Sequence, residues 1–482
     1  MYEKPYSKIL VRQAGKGRLF QLVSNFGTLP LLHLRGSRAE MANQYGHLAG
    51  DKILTSAARA IGIVSAGLPS TDLATCILDS AWRMLCPHTP ERYLEEIEAI
   101  VEGARSAHIA ITAQDLERLL AVANLDLYKR EERLNEFVDA EILQALAGFR
   151  PMSCTMFAVW GNRTVDGKLY ALRNLDWISQ VGFHEDRQIT LYEPDNAPAY
   201  VAIGYGGIIG ALAGMNEEGI TLSEVGAFSV SEELDGTPWT LMARQVLEDS
   251  RSLDDAVGII NNTRHTIGYN YLVAHGDPRH FGTEAFAPRA AAFETNYDCC
   301  ELFYDDDPKE RAARWVSPSG EELKYGLPLK EAVFRADTAF GEKTRALQAA
   351  DNGPGEPAND GDPRKGSSYV SCHVPMHDMI KAYETGSEYV FPIRDTKVIE
   401  AGSPRKIGPD EALNIAATVA HNTEKLHLND WNVMSVVYGA TDLDFWVAYE
   451  SRDEQGNWKN APDSGYWKLN LRELLNDGLK QG

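Results

Sequence analysis

From Arg18 to Gly36 (RLFQLVSNFGTLPLLHLRG) leucine, valine and phenylalanine alternate with polar residues around Phe26-Gly27, which predicts a hairpin. After Ser37 the period lengthens. Glu40 to Val64, Pro90 to Ala107 and Thr112 to Ala147 place apolar residues at helical spacing in stretches rich in Ala, Leu, Glu and Arg. Thr112-Ala-Gln-Asp115 puts a hydroxyl and a carboxylate where the free N–H groups of a helix start need acceptors. The first 150 residues therefore read as largely helical. At Pro151 the pattern flips to period two. CTMFAVWG (154–161) and KLYALR (168–173) read as strands joined at Asp166-Gly167, a hairpin signal. Further strands are predicted at 187–193, 199–204, 208–214, 219–225, 270–275, 281–286 and 289–294, with helices at 238–250 and 252–261 between them. Residues 351–368 form a Gly/Pro/Asp-rich loop. Helices near 375–385 and 409–424 and a strand pair, 432–438 and 444–450, complete the chain. Runs of strands alternating with runs of helices predict an α+β layered fold.

Charge divides the chain at the same place. Of 482 residues, 47 are basic and 69 acidic, a net charge of −22. Residues 1–153 hold 17 basic and 18 acidic residues, and the remainder 30 and 51. So acidic a surface repels nucleic acid and anionic membranes, and neither is expected as a partner. Six cysteines without a CxxC pair make no disulfide framework or zinc site. The opening MYEKPYSKILVRQAGKGRLF mixes charge with apolar residues and has no signal-peptide core. The uncharged run Asn196–Asn216 is broken by glycines and reads as strand, turn and strand. A soluble, cytoplasmic protein is the expectation.

The chemistry concentrates in PMSCTMFAVWGNRTVDGKLYALRNLDW, residues 151–177. With the turn at Asp166-Gly167, residues facing each other across the hairpin have numbers summing to about 333, which brings Cys154 to the end that holds Arg173 and Asp176. A guanidinium stabilises a nearby thiolate. If the bond before Cys154 is cut, its own α-amine, with an ordinary pKa of roughly 7.7–8.0, can take the thiol proton. Asp176 could then orient the resulting ammonium, as the third member of a triad does. The competing reading is a small buried cysteine beside a structural Arg173–Asp176 ion pair.

Cys-Thr opening a strand, a DG-K-L turn and R-N-L-D-W resemble the nucleophile region of N-terminal nucleophile (Ntn) hydrolases. They are most similar to the peptidase C45 family, relatives of penicillin acyltransferase and the choloylglycine hydrolases. The resemblance extends to LLHLRGSRAEMANQYGHLAGDKI (31–53), GIIGALAGMNEEGITL (207–222) and NVMSVVYGATDLDFWVAYE (432–450). It implies a four-layer αββα sandwich and an inactive precursor. Residues 1–153 would be a mainly helical pro-region and small chain, and 154–482 a single integrated catalytic domain. It further implies self-cleavage at Ser153–Cys154, with Cys154 as nucleophile and base and with Arg173 and Asp176 holding the cysteine and its amine. Asn296, in Thr295-Asn296-Tyr297, matches the family's oxyanion-hole asparagine, though Tyr297 stands where the family has His. The other reading of Asn296 is a turn residue ending a strand. Ser153 replaces a frequent Gly, and Glu224 occupies the place of a second asparagine of bile salt hydrolases.

The expected activity is hydrolysis of a linear, non-peptide amide of a small N-acyl molecule through a thioester. The alternatives are acyl transfer to an amine and a non-catalytic Ntn-fold binding protein. No cofactor and no metal are expected. Pro375 between His373 and His377 counts against a helical ligand pair. The expected partners are the substrate and the chain's own N-terminal fragment. The oligomeric state is open, a homo-oligomer included.

Overall fold

The computed structural model describes residues 2–3, 6–65, 68, 70–125, 154–178, 182–348, 362–366, 368–420 and 430–476. The chain begins with three antiparallel strands, β1 (Ser7–Ala14), β2 (Gly17–Ser24) and β3 (Gly27–Gly36). Four helices follow: α1 (Arg38–Ser65), α2 (Thr71–Leu85), α3 (Glu91–Ser106) and α4 (Ala113–Leu125). The rest of the helix expected to 147 lies outside the described residues. Next come β4 (Thr155–Val159), β5 (Tyr170–Ile178), β6 (Arg187–Pro194), β7 (Tyr200–Tyr205), β8 (Ala213–Asn216) and β9 (Ile220–Gly226). Helices α5 (Trp239–Asp249) and α6 (Leu253–Asn262) precede β10 (Tyr269–His275), β11 (Arg289–Thr295), β12 (Cys300–Phe303) and β13 (Ala332–Arg335). The chain then forms α7 (Val374–Thr385), α8 (Pro409–Val419), β14 (Asp430–Gly439), β15 (Asp444–Tyr449) and β16 (Tyr466–Asn470).

Two sheets dominate. One has ten strands in the order β12-β11-β10-β9-β8-β7-β6-β3-β2-β1. The other has seven, with Tyr2–Glu3 at one edge followed by β16-β15-β14-β5-β4-β13. The sheets pack face to face, β9 and β10 lying on β4 and β5. Helices α5 and α6 cover one outer face, and α7 and α8 cover the other. This is the expected αββα sandwich. Alternation along β4 builds it: Met156 and Ala158 join the intersheet core, while Phe157 and Val159 join the cluster under α7 and α8. Each such fully buried large side chain contributes about 1.5–3 kcal/mol.

Three expectations change. The β4/β5 register pairs Thr155 with Asn174 and Val159 with Tyr170, a sum of 329 rather than 333. Asp166 and Gly167 do carry the positive φ of a turn, 57° and 71°. A further turn at Gly161–Arg163 widens the connection and shifts the pairing. The strand expected at 208–214 is mostly loop, with β8 starting at Ala213. At 281–286 turns replace a strand, because Asp277 caps the loop by accepting from His280 (2.7 Å) and the Ala287 amide (2.9 Å). Helix α2, entered through Ser70 as N-cap, was absent from the sequence reading. Among the described residues no helix is long and apolar enough to cross a membrane.

Candidate active site

Cys154 sits at the mouth of the intersheet space, one residue before β4, and is 6% exposed. Its thiol donates to the backbone carbonyl of Asp176 on the neighbouring strand, Sγ to O 3.8 Å. Arg173, on β5, is fully buried. It is anchored at both ends: one nitrogen donates to the Asn174 carbonyl and the other to the Glu224 carboxylate of β9, in the opposite sheet. Arg173 thus ties the two sheets together beside the thiol. It does not pair with Asp176 as the simplest structural alternative supposed. The Asp176 carboxylate instead accepts from Asn432 Nδ2 on β14, 2.7 Å away. Asn432 is itself held through its backbone N–H, which donates to Asn460 Oδ1 (3.1 Å).

The electrostatics follow from burial. Burial pushes the Cys154 thiol up to about 12; Arg173 pulls it down, while Glu224 and Asp176 add to the rise. Burial works against the charge of Arg173 too, but Glu224 and the Cys154 sulfur hold its pKa above the ordinary value. Two carboxylates, Glu224 and Asp176, and one guanidinium, paired with Glu224, thus act on the sulfur.

Behind the thiol opens a cavity of about 80 Å³. Its walls are apolar. Ile63 of α1 and Leu119 and Leu125 of α4 contribute, as do Trp177, Phe183 and Trp239. Trp177 and Phe183 stack at 5.3 Å. Cys154, Asp176 and Glu224 are the polar exceptions, gathered in one part of the lining. Such a space accepts an apolar group and presents its end to a thiol.

The structure therefore brings Cys154, Arg173 and Asp176 together. Asn296 is placed differently: its Oδ1 accepts the amide hydrogens of Asp298 and Cys299, both at 3.0 Å, in a turn after β11. It is not among the residues lining the cavity. His373 is buried among Phe334, Phe340 and Tyr369, and His377 pairs with Asp378. Among the described residues no group of three or more His, Cys, Asp or Glu side chains is disposed to hold a metal ion. Sequence reasoning missed two members of the site. Glu224 stood out only as a departure from an asparagine, and Asn432 only as part of a strand.

Two stacked sheets between helical layers, with a cysteine at the start of an inner strand, define the class of fold: an αββα sandwich. Residues 163–298, which include Arg173 and Asp176, match the family model of acyl-coenzyme A:6-aminopenicillanic acid acyl-transferase. A protein of Archaeoglobus fulgidus described as uncharacterized is 26% identical over 274 residues, 55% of this chain and 45% of that one. Protein dcd1B of Dictyostelium discoideum is 19% identical over 310 residues, 62% and 57% of the two chains. The matched regions span about half the length of these relatives. Among solved structures, the Caenorhabditis elegans ortholog of N-acylethanolamine-hydrolyzing acid amidase aligns with TM-score 0.36 at 12% identity, covering 60% of this chain and 93% of that one. Conjugated bile acid hydrolase from Clostridium perfringens aligns with TM-score 0.34 at 13% identity, covering 66% and 96%.

Proposed function

We propose that this chain is a self-processing cysteine amidohydrolase acting on a linear amide with an apolar acyl group. The observation that carries the reading is the Cys154 thiol, flanked by Arg173 and Asp176, in the wall of an apolar cavity. Cleavage before Cys154 frees its α-amine, which takes the thiol proton without a histidine. The charge balance favours this step. Arg173 is committed to Glu224, and an α-ammonium would supply the positive charge that the Asp176 carboxylate can pair with. The thiolate attacks the amide carbon, and N–H donors stabilise the oxyanion. On collapse the protonated amine departs and a thioester remains, which water hydrolyses while the α-amine again takes the proton. Asp176 orients the ammonium, and Arg173 holds negative charge at sulfur. The reading of Asn296 as oxyanion donor rests on resemblance; with Oδ1 engaged in its turn, Nδ2 is the group that would donate.

The matched family is one of acyltransferases, so an amine in place of water is the second reading. The test is intact mass plus turnover of an N-acyl amide, with and without an added amine acceptor. The first reading expects fragments of 153 and 329 residues, free acid as product, and loss of both cleavage and turnover in Cys154→Ala. Turnover by Cys154→Ala would overturn it.

A further inference from the structure

Beside the nucleophile lies a polar group with no assigned task. Asn432 is wholly buried and donates its amide to Asp176 across the β5/β14 pairing. A carboxylate accepts only, so the NH₂ end must face Asp176, and this fixes the whole amide. Its Oδ1 is thereby turned away from that bond, buried and without a hydrogen-bond partner among the described residues. A buried acceptor without a donor is costly in a strand otherwise so well paired. A register shift between Asn432 and Met434 marks the same spot, where the ladder gives up regularity. The backbone N–H of Asn432, held by Asn460, fixes the base of the side chain.

We propose that Asn432 is a positioning residue of the nucleophile. It aims the Asp176 carboxylate at the α-ammonium of Cys154 by donating Nδ2 to one of its oxygens. The inference rests on the reading of Cys154 as an N-terminal nucleophile. The charged groups that act on the Cys154 thiol are Arg173 of β5, Glu224 of β9 and Asp176 itself. Arg173 is committed to Glu224, and Asn432 donates to the Asp176 carboxylate.

The test uses full-length protein, a neutral N-acyl amide and three variants. Asn432→Leu keeps the shape and removes donor and acceptor. It should lower kcat about a hundredfold, leave KM within about threefold, and slow self-cleavage. Asn432→Asp places two carboxyls at hydrogen-bond distance, which share one proton. Protonated Asp can donate to Asp176, so the ratio of variant to wild-type kcat should rise about tenfold per pH unit as pH falls towards the pair's pKa and level off below it. A ratio flat in pH, or Asn432→Leu within threefold of wild type, overturns the inference. If Asn432→Leu fails to fold, the pH ratio of Asn432→Asp decides alone. Turnover retained by Cys154→Ala would sink the nucleophile reading instead, so the two failures are told apart.

Discussion

Replacing Glu224 with Gln separates two consequences of one buried charge. Glu224 is 3% exposed and its partner Arg173 fully buried, so the variant leaves a guanidinium without its carboxylate in the intersheet core. Breaking such a pair costs about 3–5 kcal/mol. For a chain of this size that lowers Tm by several degrees. The second consequence runs the other way. With the Cys154 thiol at about 12, only about one molecule in ten thousand carries thiolate at pH 8. Glu224 is one of the charges raising that value, and a carboxylate at close range shifts a neighbour by about 1–3 pH units. Glu224→Gln should therefore speed alkylation of Cys154 by iodoacetamide about ten- to a hundredfold at pH 8, in a less stable protein. Because Cys76 is exposed, labelling is followed by peptide mass at Cys154 alone. Unchanged or slower labelling with a lowered Tm would refute the electrostatic argument and leave Glu224 a purely structural partner of Arg173.

Other outcomes follow from the same geometry. Asp176→Asn should cut kcat by orders of magnitude while Tm holds, and activity falling only in step with Tm would make Asp176 structural. Arg173→Lys should recover little, because one ammonium cannot reach both the Asn174 carbonyl and Glu224; kcat near wild type would refute this. In the apolar cavity each added acyl methylene should lower KM about fourfold until the space is filled, from about 0.8 kcal/mol per CH₂. Leu119→Asp should abolish that dependence, as a chain-length series would show. A cationic substrate should lose kcat/KM with added salt while a neutral isostere stays flat, since the chain carries −22 net charge; equal responses would deny steering.

What the sequence disclosed depended on the range of the interaction. Local patterns were readable: α1, α3, α5, α6 and most core strands follow from periodicity, and the Asp166-Gly167 turn from its residue types. Cys154, Arg173 and Asp176 were legible because they sit within one hairpin, so an error of four in the register sum still left them together. Glu224 and Asn432 were not. Each meets the site through pairing between elements distant in sequence, 51 residues in one case and 256 in the other. The apolar cavity likewise needs α1 and α4 against β5 and β9, a juxtaposition no single stretch announces. Asn296 stood out only through a three-residue likeness, and the structure shows its Oδ1 accepting in a turn.

The parallel pairing of β3 with β6 has a consequence for the life of the molecule. Leu31 through Gly36 run beside Ile189 through Pro194, so strands from either side of residue 153 share one continuous ladder. Arg38 of α1 reaches Glu248 of α5, and Glu96 of α3 holds Arg244, again from opposite sides. A chain cut between Ser153 and Cys154 would have folded as one piece but would exist as two. Its first folding is unimolecular and its second bimolecular. Once denatured, it must find its own other half at the prevailing concentration, with no linker to raise the effective local concentration. Refolding yield would then depend on dilution for the processed molecule and not for the precursor. Processing of this kind would work as a ratchet: the chain would fold and then be cut, an order that could not be run again from the parts with the same ease.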